Sequence, residues 1–129
     1  MKFLTLLFAL ILGCPALARA EQADPSPAAV ARWIQETPAA QIVDVRTKEE
    51  FATGHLAKAA LIPWTDKDFS ERAKKQLDPA KPVLVYCRSG RRSTEAAAEL
   101  EKLGFKSVRN LKGGITAWTA AGQPVVKPD

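Results

Sequence analysis

Residues 83–100 combine an apolar run, a short loop with a single cysteine, and a helix-forming run in immediate succession. Val83–Tyr86 is apolar throughout and follows a proline-containing turn, which predicts a buried strand. Thr94–Leu100 predicts a helix. Between them, Cys87–Ser93 contains one glycine and three arginines. N–H groups at the start of a helix have no partner within it and carry the positive end of its dipole, so we expect this loop to cradle an anion.

The anion expected in this cradle is the sulfur of Cys87. A free thiol has a pKa of about 8.5, and lowering that pKa by about two units makes the thiolate the main form near neutral pH. The guanidinium groups of Arg88, Arg91 and Arg92 act in the same direction as the loop amides. They also argue against a cysteine buried as a small hydrophobe, because charged side chains are not packed into an apolar core. The loop therefore predicts a reactive thiol.

This loop and its flanks resemble the rhodanese family of sulfurtransferases. The family's active loop has the form Cys-x-x-Gly-x-Arg-Ser/Thr, which Cys87, Gly90, Arg92 and Ser93 match. The resemblance covers roughly residues 42–121, and its other landmarks follow in the family's order: Asp44-Val45-Arg46, Phe51, Gly54-His55-Leu56, Leu61-Ile62-Pro63, Leu111-Lys112-Gly113-Gly114 and Trp118. The alternation of strand-like and helix-like segments agrees with a single α/β domain that has a mostly parallel central sheet and helices on both faces.

The resemblance implies a thiosulfate sulfurtransferase. We expect no cofactor. Cys87 would take sulfur from a small anionic donor such as thiosulfate and carry it as a covalent persulfide. The acceptor would be cyanide or a thiol, including that of a thioredoxin-like protein. The residues expected to bind the substrate are those of the loop, together with one arginine from an earlier strand: Arg88, Ser89, Gly90, Arg91, Arg92, Ser93 and Arg46. Ser93 is also expected to cap the helix after the loop.

Three polar residues outside the loop are open to two interpretations each. Asp44 and Arg46 lie at the end of the predicted strand 42–45, where ligands bind in parallel sheets. For Asp44 we favour a structural ion pair; Arg46 is either its partner or a ligand for the substrate anion, as the resemblance implies. His55 is the only histidine, and its place in the family's Gly-His turn favours hydrogen bonding within a loop over general-base catalysis. We expect no metal site.

Two other roles for the same loop stay open. The chain could be a persulfide carrier that serves another protein, because the same Cys87 intermediate suits both roles. Phosphatases and arsenate reductases that share the rhodanese fold resemble Cys-x5-Arg, whereas Cys87 and Arg92 give Cys-x4-Arg. The shorter loop favours sulfur transfer. Arg91 is left open between facing the substrate and facing solvent.

The N-terminus has the three parts of a secretory signal peptide: a lysine, an apolar run and a small-residue cleavage site at Ala18-Arg19-Ala20. We predict a signal at residues 1–20, a flexible mature N-terminus at 21–27 and the rhodanese-like domain at 28–129. The protein would be exported, which in a bacterium means to the periplasm. After cleavage of the signal it would have no membrane anchor. A lipoprotein signal ending at Cys14 is the alternative. Cleavage leaves Cys87 as the only thiol, as expected of a reactive cysteine.

The charge balance does not indicate a nucleic-acid partner. The chain has 19 Lys and Arg against 14 Asp and Glu. Without Lys2 and Arg19, which belong to the predicted signal, the balance is 17 against 14, or +3. Three of these cations lie in the Cys87 loop, so a local anion site accounts for the excess better than a basic face does.

Overall fold

Helices and strands alternate along residues 24–128, the part of the chain that the computed structural model describes. The helices are α1 (Pro27–Glu36), α2 (Lys48–Ala52), α3 (Phe69–Gln76), α4 (Arg91–Lys102) and α5 (Gly114–Ala120), and the strands are β1 (Gln41–Asp44), β2 (Ala60–Leu61), β3 (Val83–Tyr86) and β4 (Val108–Asn110). The predicted signal peptide, Cys14 and the first residues of the 21–27 segment lie outside the described residues. Within them, no helix is long and apolar enough to span a membrane.

The four strands form one parallel sheet in the order β2-β1-β3-β4. Ile42 pairs with Leu84 between the two central strands, and Leu84 pairs with Arg109 of β4. The chain places β2 on one side of β1 and β3 on the other, so the strand order reverses between the central pair. Parallel sheets bind ligands beyond the carboxyl ends of their strands at such a reversal. The loops after β1 and β3, which carry Arg46 and Cys87, meet there.

Side chains along β3 alternate between two cores because successive residues of a strand point to opposite faces. Val83, Val85 and Cys87 pack with residues of α3 and α4, including Phe69 and Leu100. On the other face, Leu84 and Tyr86 pack with residues of α1 and α5, including Val30 and Trp118. Helices therefore cover both faces of the sheet. This confirms the fold class predicted from the sequence.

Helix α1 begins at Pro27, so the domain starts earlier than predicted. The Ser26 hydroxyl accepts a hydrogen bond from the Ala29 amide at 3.3 Å and caps the helix. A proline is well placed in the first helical position, since its missing N–H would have no partner there. The Pro25 carbonyl accepts a hydrogen bond from the Lys112 amide at 3.0 Å, which ties this segment to the domain. The prediction that residue 27 belongs to a flexible N-terminus was therefore wrong.

Two elements are shorter than the sequence pattern predicts. The spacing of Phe69, Ala73 and Leu77 predicts a helix over residues 66–77, but only α3 is helical, and Asp66 lies in the turn before it, where it forms a salt bridge with Arg72. Residues 105–111 predict a strand, of which only β4 forms. Phe69, Ala73 and Leu77 are nevertheless buried against the sheet, as their helical spacing predicts.

Candidate active site

The loop that carries Cys87 is shorter than the sequence indicated, because α4 begins at Arg91 rather than at Thr94. Gly90 is the N-cap residue, and its φ of +116° lies in the left-handed region that favours glycine. Ser93 lies in the first turn of the helix. The prediction that Ser93 caps the helix was wrong, because its hydroxyl instead donates to the Cys87 sulfur and the Gly90 carbonyl.

Cys87 is only 1% exposed and is part of the core between the sheet and α4. The prediction that the arginines would keep this cysteine out of a core was wrong. Cys87 continues the alternation of β3, so it lies on the same side of the sheet as Val85, while the arginines project from the residues after it. Its sulfur accepts a hydrogen bond from the Gly90 N–H at 3.0 Å and one from the Ser93 hydroxyl at 3.2 Å.

The pKa of Cys87 lies below its ordinary value because the loop outweighs burial. Burial raises this pKa, whereas the Ser93 hydroxyl and the N–H groups of Ser93, Gly90 and Ser89 lower it by more. A hydrogen bond to the charged form of a group favours ionisation. Cys87 therefore combines a buried side chain with a sulfur that favours the thiolate.

Helix α5 fixes the orientation of the loop through its first amides. The Ile115 N–H donates to the Cys87 carbonyl at 3.0 Å, and the Thr116 N–H donates to the Arg88 carbonyl at 3.1 Å. In a trans peptide the C=O and N–H point in opposite directions, so the bond to the Arg88 carbonyl turns the next N–H, that of Ser89, away from α5 and towards the sulfur. Gly114 makes the contact possible: a Cβ at this position would lie 2.5 Å from the Cys87 carbonyl oxygen. The glycine therefore allows the backbone of α5 to approach the Cys87 loop closely.

Arg92 is tied to Glu50 of helix α2. Its two terminal nitrogens donate to the two carboxylate oxygens at 2.7 and 2.9 Å, which is the strong bidentate geometry of an arginine and a carboxylate. Glu50 also accepts hydrogen bonds from the amide and hydroxyl of Thr47, and the two residues form the capping box at the start of α2. The hydrogen bond with Glu50 raises the pKa of Arg92, and the charge of Cys87 adds to that shift. Arg92 thus lies beside the thiolate with its end groups already occupied.

Arg46 is held in a buried ion pair. Its Nε and Nη2 donate to the Asp44 carboxylate, the shortest contact being 2.7 Å, and Nη2 also donates to the Gly54 carbonyl at 2.7 Å. Burial lowers the pKa of Arg46, but the hydrogen bonds and charge of Asp44 raise it by more, so the guanidinium stays charged. Asp44 is therefore in the structural ion pair that we favoured. Its partner Arg46 lines the mouth of the site but directs most of its donors to protein groups.

The remaining loop side chains are exposed. Arg88, Ser89 and Arg91 all face the surface, and neither arginine forms a salt bridge with a described residue. Arg88 lines a groove of about 880 Å³ that runs between α2 and α5 beside the loop. Arg91 does not line this groove. Of the two orientations left open for Arg91, the solvent-facing one is observed.

His55 has a structural environment. Its ring stacks on Phe51 with the ring centroids 3.7 Å apart, and Nδ1 lies 3.2 Å from the Phe51 carbonyl oxygen. The His55 backbone forms two hydrogen bonds of 2.8 Å with Val126 near the C-terminus. These contacts agree with the loop-bonding role predicted for His55. Among residues 24–128, no group of three or more His, Cys, Asp or Glu side chains is arranged to hold a metal ion.

Sequence reasoning identified the loop but missed three of its supports. The pairing of Glu50 with Arg92 was missed, since nothing local links Glu50 to an arginine 42 positions later. The other two are Thr94, whose hydroxyl donates to the Gly90 carbonyl at 2.7 Å, and Asn110, whose side-chain amide donates to Thr94 at 3.0 Å. A buried asparagine at the end of a predicted strand is the kind of signal that could have indicated such a support.

Comparison with known proteins places this geometry in a family. A family model described as Rhodanese-like domain matches residues 26–121. Thiosulfate sulfurtransferase 18 of Arabidopsis thaliana is 40% identical over 96 residues, which cover 66% of this chain and 71% of that protein. A sulfurtransferase from Allochromatium vinosum is 38% identical over 88 residues, covering 68% of this chain and 79% of that protein.

The solved structures agree with the sequence matches. A rhodanese-related protein from Thermoplasma volcanium is 31% identical, with a TM-score of 0.71, and the alignment covers 81% of this chain and 97% of that one. The family match extends from the cap of α1 at Ser26 to the end of α5. It therefore includes all four strands, the Cys87 loop and both helices beside the groove, and the chain belongs to the rhodanese family.

Proposed function

We propose that the protein transfers a sulfane sulfur through a persulfide formed on Cys87. Membership of the rhodanese family, with relatives named sulfurtransferases, supports sulfur transfer in general. The observation that carries the specific proposal is the set of hydrogen-bond donors around the Cys87 sulfur. The Gly90 N–H and the Ser93 hydroxyl contact the sulfur directly, and they stabilise a thiolate without any histidine as a base.

In the first step, the Cys87 thiolate attacks the outer sulfur of thiosulfate. A sulfur–sulfur bond forms to Cys87, the sulfur–sulfur bond of the donor breaks, and sulfite leaves with the electron pair of that bond. The transferred sulfur carries the negative charge of the persulfide. Amides at the start of α4 are well placed to stabilise this charge, since the positive end of the helix dipole adds to their hydrogen bonds. The persulfide is then the only carrier of sulfur, and no separate cofactor takes part.

Arg88 is the arginine that we assign to binding the donor. It is exposed, lines the groove and forms no salt bridge with a described residue, whereas Arg92 and Arg46 are paired with Glu50 and Asp44. Arg91 contributes to the positive potential outside the groove. Ser89 and Gly90 act through their backbone N–H groups and Ser93 through its hydroxyl.

In the second step, cyanide or a thiolate attacks the outer sulfur and releases the Cys87 thiolate. Two successive half-reactions that share one covalent intermediate predict ping-pong kinetics. The test is to mix the protein with thiosulfate in the absence of an acceptor and to measure sulfite. We expect a burst of about one equivalent of sulfite per protein from a single reactive thiol, followed by thiocyanate when cyanide is added. The Cys87→Ser variant should give neither product, and sulfite or thiocyanate formed by that variant would refute the proposal.

Arsenate reduction and phosphate ester hydrolysis are the competing activities of the same fold. Four residues separate Cys87 from Arg92, and Arg92 is engaged by Glu50 rather than free to bind a tetrahedral anion. Both features favour sulfur transfer. Hydrolysis of an aryl phosphate, or reduction of arsenate, faster than thiocyanate formation would reverse this choice.

Export is also a proposal, based on the sequence of residues 1–20. In a bacterial host we expect the full-length chain to be processed after Ala20 and recovered from the periplasmic fraction. Mass determination of the recovered protein would test this directly. A protein that retains Met1, or one that carries a lipid on Cys14, would contradict a soluble exported form.

A further inference from the structure

The Gly90 carbonyl, at the N-cap of α4, accepts hydrogen bonds from three donors. Thr94 donates its backbone N–H at 3.0 Å and its hydroxyl at 2.7 Å, and Ser93 donates its hydroxyl at 3.1 Å. A carbonyl oxygen has two lone pairs, and bonds from a hydroxyl to an oxygen normally measure about 2.5–3.0 Å. The two bonds from Thr94 are therefore the favourable ones, and the bond from Ser93 is the weakest of the three.

The Ser93 hydroxyl has a second acceptor, the Cys87 sulfur, at 3.2 Å. Because a sulfur atom is larger than an oxygen atom, 3.2 Å is a close contact to sulfur, whereas 3.1 Å to the Gly90 oxygen is a long one. The hydroxyl has only one hydrogen to donate. When Thr94 occupies both lone pairs of the Gly90 carbonyl, that hydrogen is left for the sulfur.

Asn110, the last residue of β4, fixes the direction of the Thr94 hydroxyl. The Asn110 side-chain amide lies 3.0 Å from the Thr94 hydroxyl oxygen, which lies 2.7 Å from the Gly90 carbonyl oxygen. A carbonyl can only accept, so the single Thr94 hydrogen must lie between Thr94 and Gly90. The Asn110 atom that contacts Thr94 must then be the donating Nδ2. Thr94 is exposed, and without this donor its hydroxyl could turn to solvent.

The other half of the Asn110 amide is costly to the fold. Asn110 is 7% exposed, and its Oδ1 is buried without a hydrogen-bond partner among residues 24–128. An unsatisfied buried acceptor costs about 1–3 kcal/mol. Asn110 pairs with Val85, whose side chain packs on the α4 face of the sheet, where an apolar residue would avoid that cost. The Nδ2 donor, rather than packing, therefore accounts for an asparagine at this position.

We propose that Asn110 and Thr94 are positioning residues that keep the Gly90 carbonyl occupied and so direct the Ser93 hydroxyl hydrogen to the Cys87 sulfur. Neither residue touches the sulfur. The relay favours the thiolate, because a hydrogen bond to the charged form of a group favours ionisation. The inference rests on the proposed function for the use of that thiolate, and it adds two residues that control how much of it forms.

The charged groups near the sulfur do not belong to the relay. Arg92 of α4 lies beside Cys87, and Glu50 of α2 and Asp44 of β1 act on Arg92 in turn. Arg92 is bonded to Glu50, and neither residue contacts Asn110 or Thr94 through a hydrogen bond. Substitutions in the relay therefore leave these charges in place.

The first test removes the Thr94 hydroxyl. Thr94→Val keeps the shape of an exposed side chain, and the Ser93 hydrogen then turns towards the Gly90 carbonyl. We expect the pKa of Cys87 to rise, so the pH profile of its alkylation by iodoacetamide moves to higher pH, by less than in Ser93→Ala. The rate at the high-pH plateau should not fall, because the thiolate itself is still accessible. Thr94→Ser retains the hydroxyl and should give the wild-type profile.

The same substitution in a Ser93→Ala background tests the route of the effect. Residues of one hydrogen-bond network have non-additive effects, which a comparison of single and double variants measures. If Thr94 acts through the Ser93 hydroxyl, Thr94→Val should cause no further shift once that hydroxyl is absent. An equal shift in both backgrounds would overturn the relay, since Thr94 would then reach the sulfur by another route.

The second test replaces Asn110. Asn110→Leu removes the Nδ2 donor together with the unpartnered Oδ1, so we expect a shift of the alkylation profile in the same direction as for Thr94→Val, without a lower urea midpoint. A purely structural asparagine predicts the reverse, a lower midpoint and an unchanged profile. That result, or a variant that does not fold, would overturn the role of Asn110, while the Thr94 variants test the rest of the relay independently.

Alkylation needs no sulfur donor, so the outcomes separate this inference from the proposed function. Failure of the wild-type protein to release sulfite from thiosulfate would overturn the proposed function, whatever the alkylation profiles show. A normal burst of sulfite from the wild type, combined with an unshifted profile for Thr94→Val, would overturn this inference alone.

Discussion

Two effects act in opposite directions on the ionisation of the Cys87 thiol. Burial disfavours its charged form, while the Ser93 hydroxyl and the loop amides favour it, and the favourable contacts prevail. The Ser93 hydroxyl has one hydrogen, which it shares between the Cys87 sulfur at 3.2 Å and the Gly90 carbonyl at 3.1 Å. Removing it should therefore affect the ionisation of the thiol directly.

We predict that Ser93→Ala raises the pKa of Cys87. A hydrogen bond to a charged group stabilises the charged form by about 1.5–3 kcal/mol, so losing the hydroxyl makes the thiolate less favourable. The rate of Cys87 alkylation by iodoacetamide increases as the thiolate forms, so its pH profile should move to higher pH. Ser89→Ala retains the N–H that faces the sulfur and should shift the profile much less. Equal shifts in the two variants would show that the hydroxyl has no special role.

Between elements, the pair of Arg92 and Glu50 joins α2 to the start of α4. The hydrogen bond from Arg92 lowers the pKa of Glu50 from 4.5 to about 2, burial opposes the shift, and bonds from Thr47 add to it. A carboxyl group whose pKa falls on folding stabilises the protein fully above its unfolded pKa. This stabilisation is lost as the pH falls from about 4.5 to about 2.

We therefore predict that Glu50→Gln destabilises the protein only where Glu50 is ionised. The pair is partly exposed, so solvent screening limits the expected loss of unfolding free energy near neutral pH to about 1 kcal/mol. The difference between wild type and variant should shrink as the pH approaches 2, which urea denaturation at several pH values would measure. Glu49→Gln, an exposed neighbour without a salt-bridge partner among the described residues, is the control. A pH-independent difference for Glu50→Gln would contradict this account.

The contact between α5 and the loop depends on Gly114. Its φ is +62°, and an added Cβ would collide with the carbonyls of Cys87 and Arg88. We predict that Gly114→Ala costs about 1–2 kcal/mol for the left-handed backbone and about 1–3 kcal/mol more for the collision. It should also slow sulfite release, since the loop must shift. Gly122 also has a positive φ, +77°, but a Cβ added there would meet open space. Gly122→Ala should therefore lose only the free energy of the left-handed backbone and should release sulfite at the normal rate. Similar losses for both variants would rule out a role for close contact.

For the molecule as a whole, the sheet and the reactive loop could be predicted because their signals are local. The apolar run of β3, the capping box of Thr47 and Glu50, and the glycines at the start of α5 each act within a few residues. The burial of Cys87 was missed because three charged neighbours were weighed more heavily than the alternation of the strand. The Arg92–Glu50 pair and the groove were missed because they depend on how distant segments meet, which no local pattern encodes.

The arrangement of the whole sheet determines where the Cys87 loop lies. The reversal of strand order brings the loops after β1 and β3 together, and the first turn of α4 surrounds one thiol with donors. Such a site should hold a persulfide long enough to isolate it. Intact-mass analysis of the protein after thiosulfate treatment and removal of excess donor tests this most directly. We predict a mass gain of one sulfur atom, located on Cys87, lost on adding cyanide and absent from Cys87→Ser. An unchanged mass for the treated wild-type protein, or an equal gain in Cys87→Ser, would contradict it.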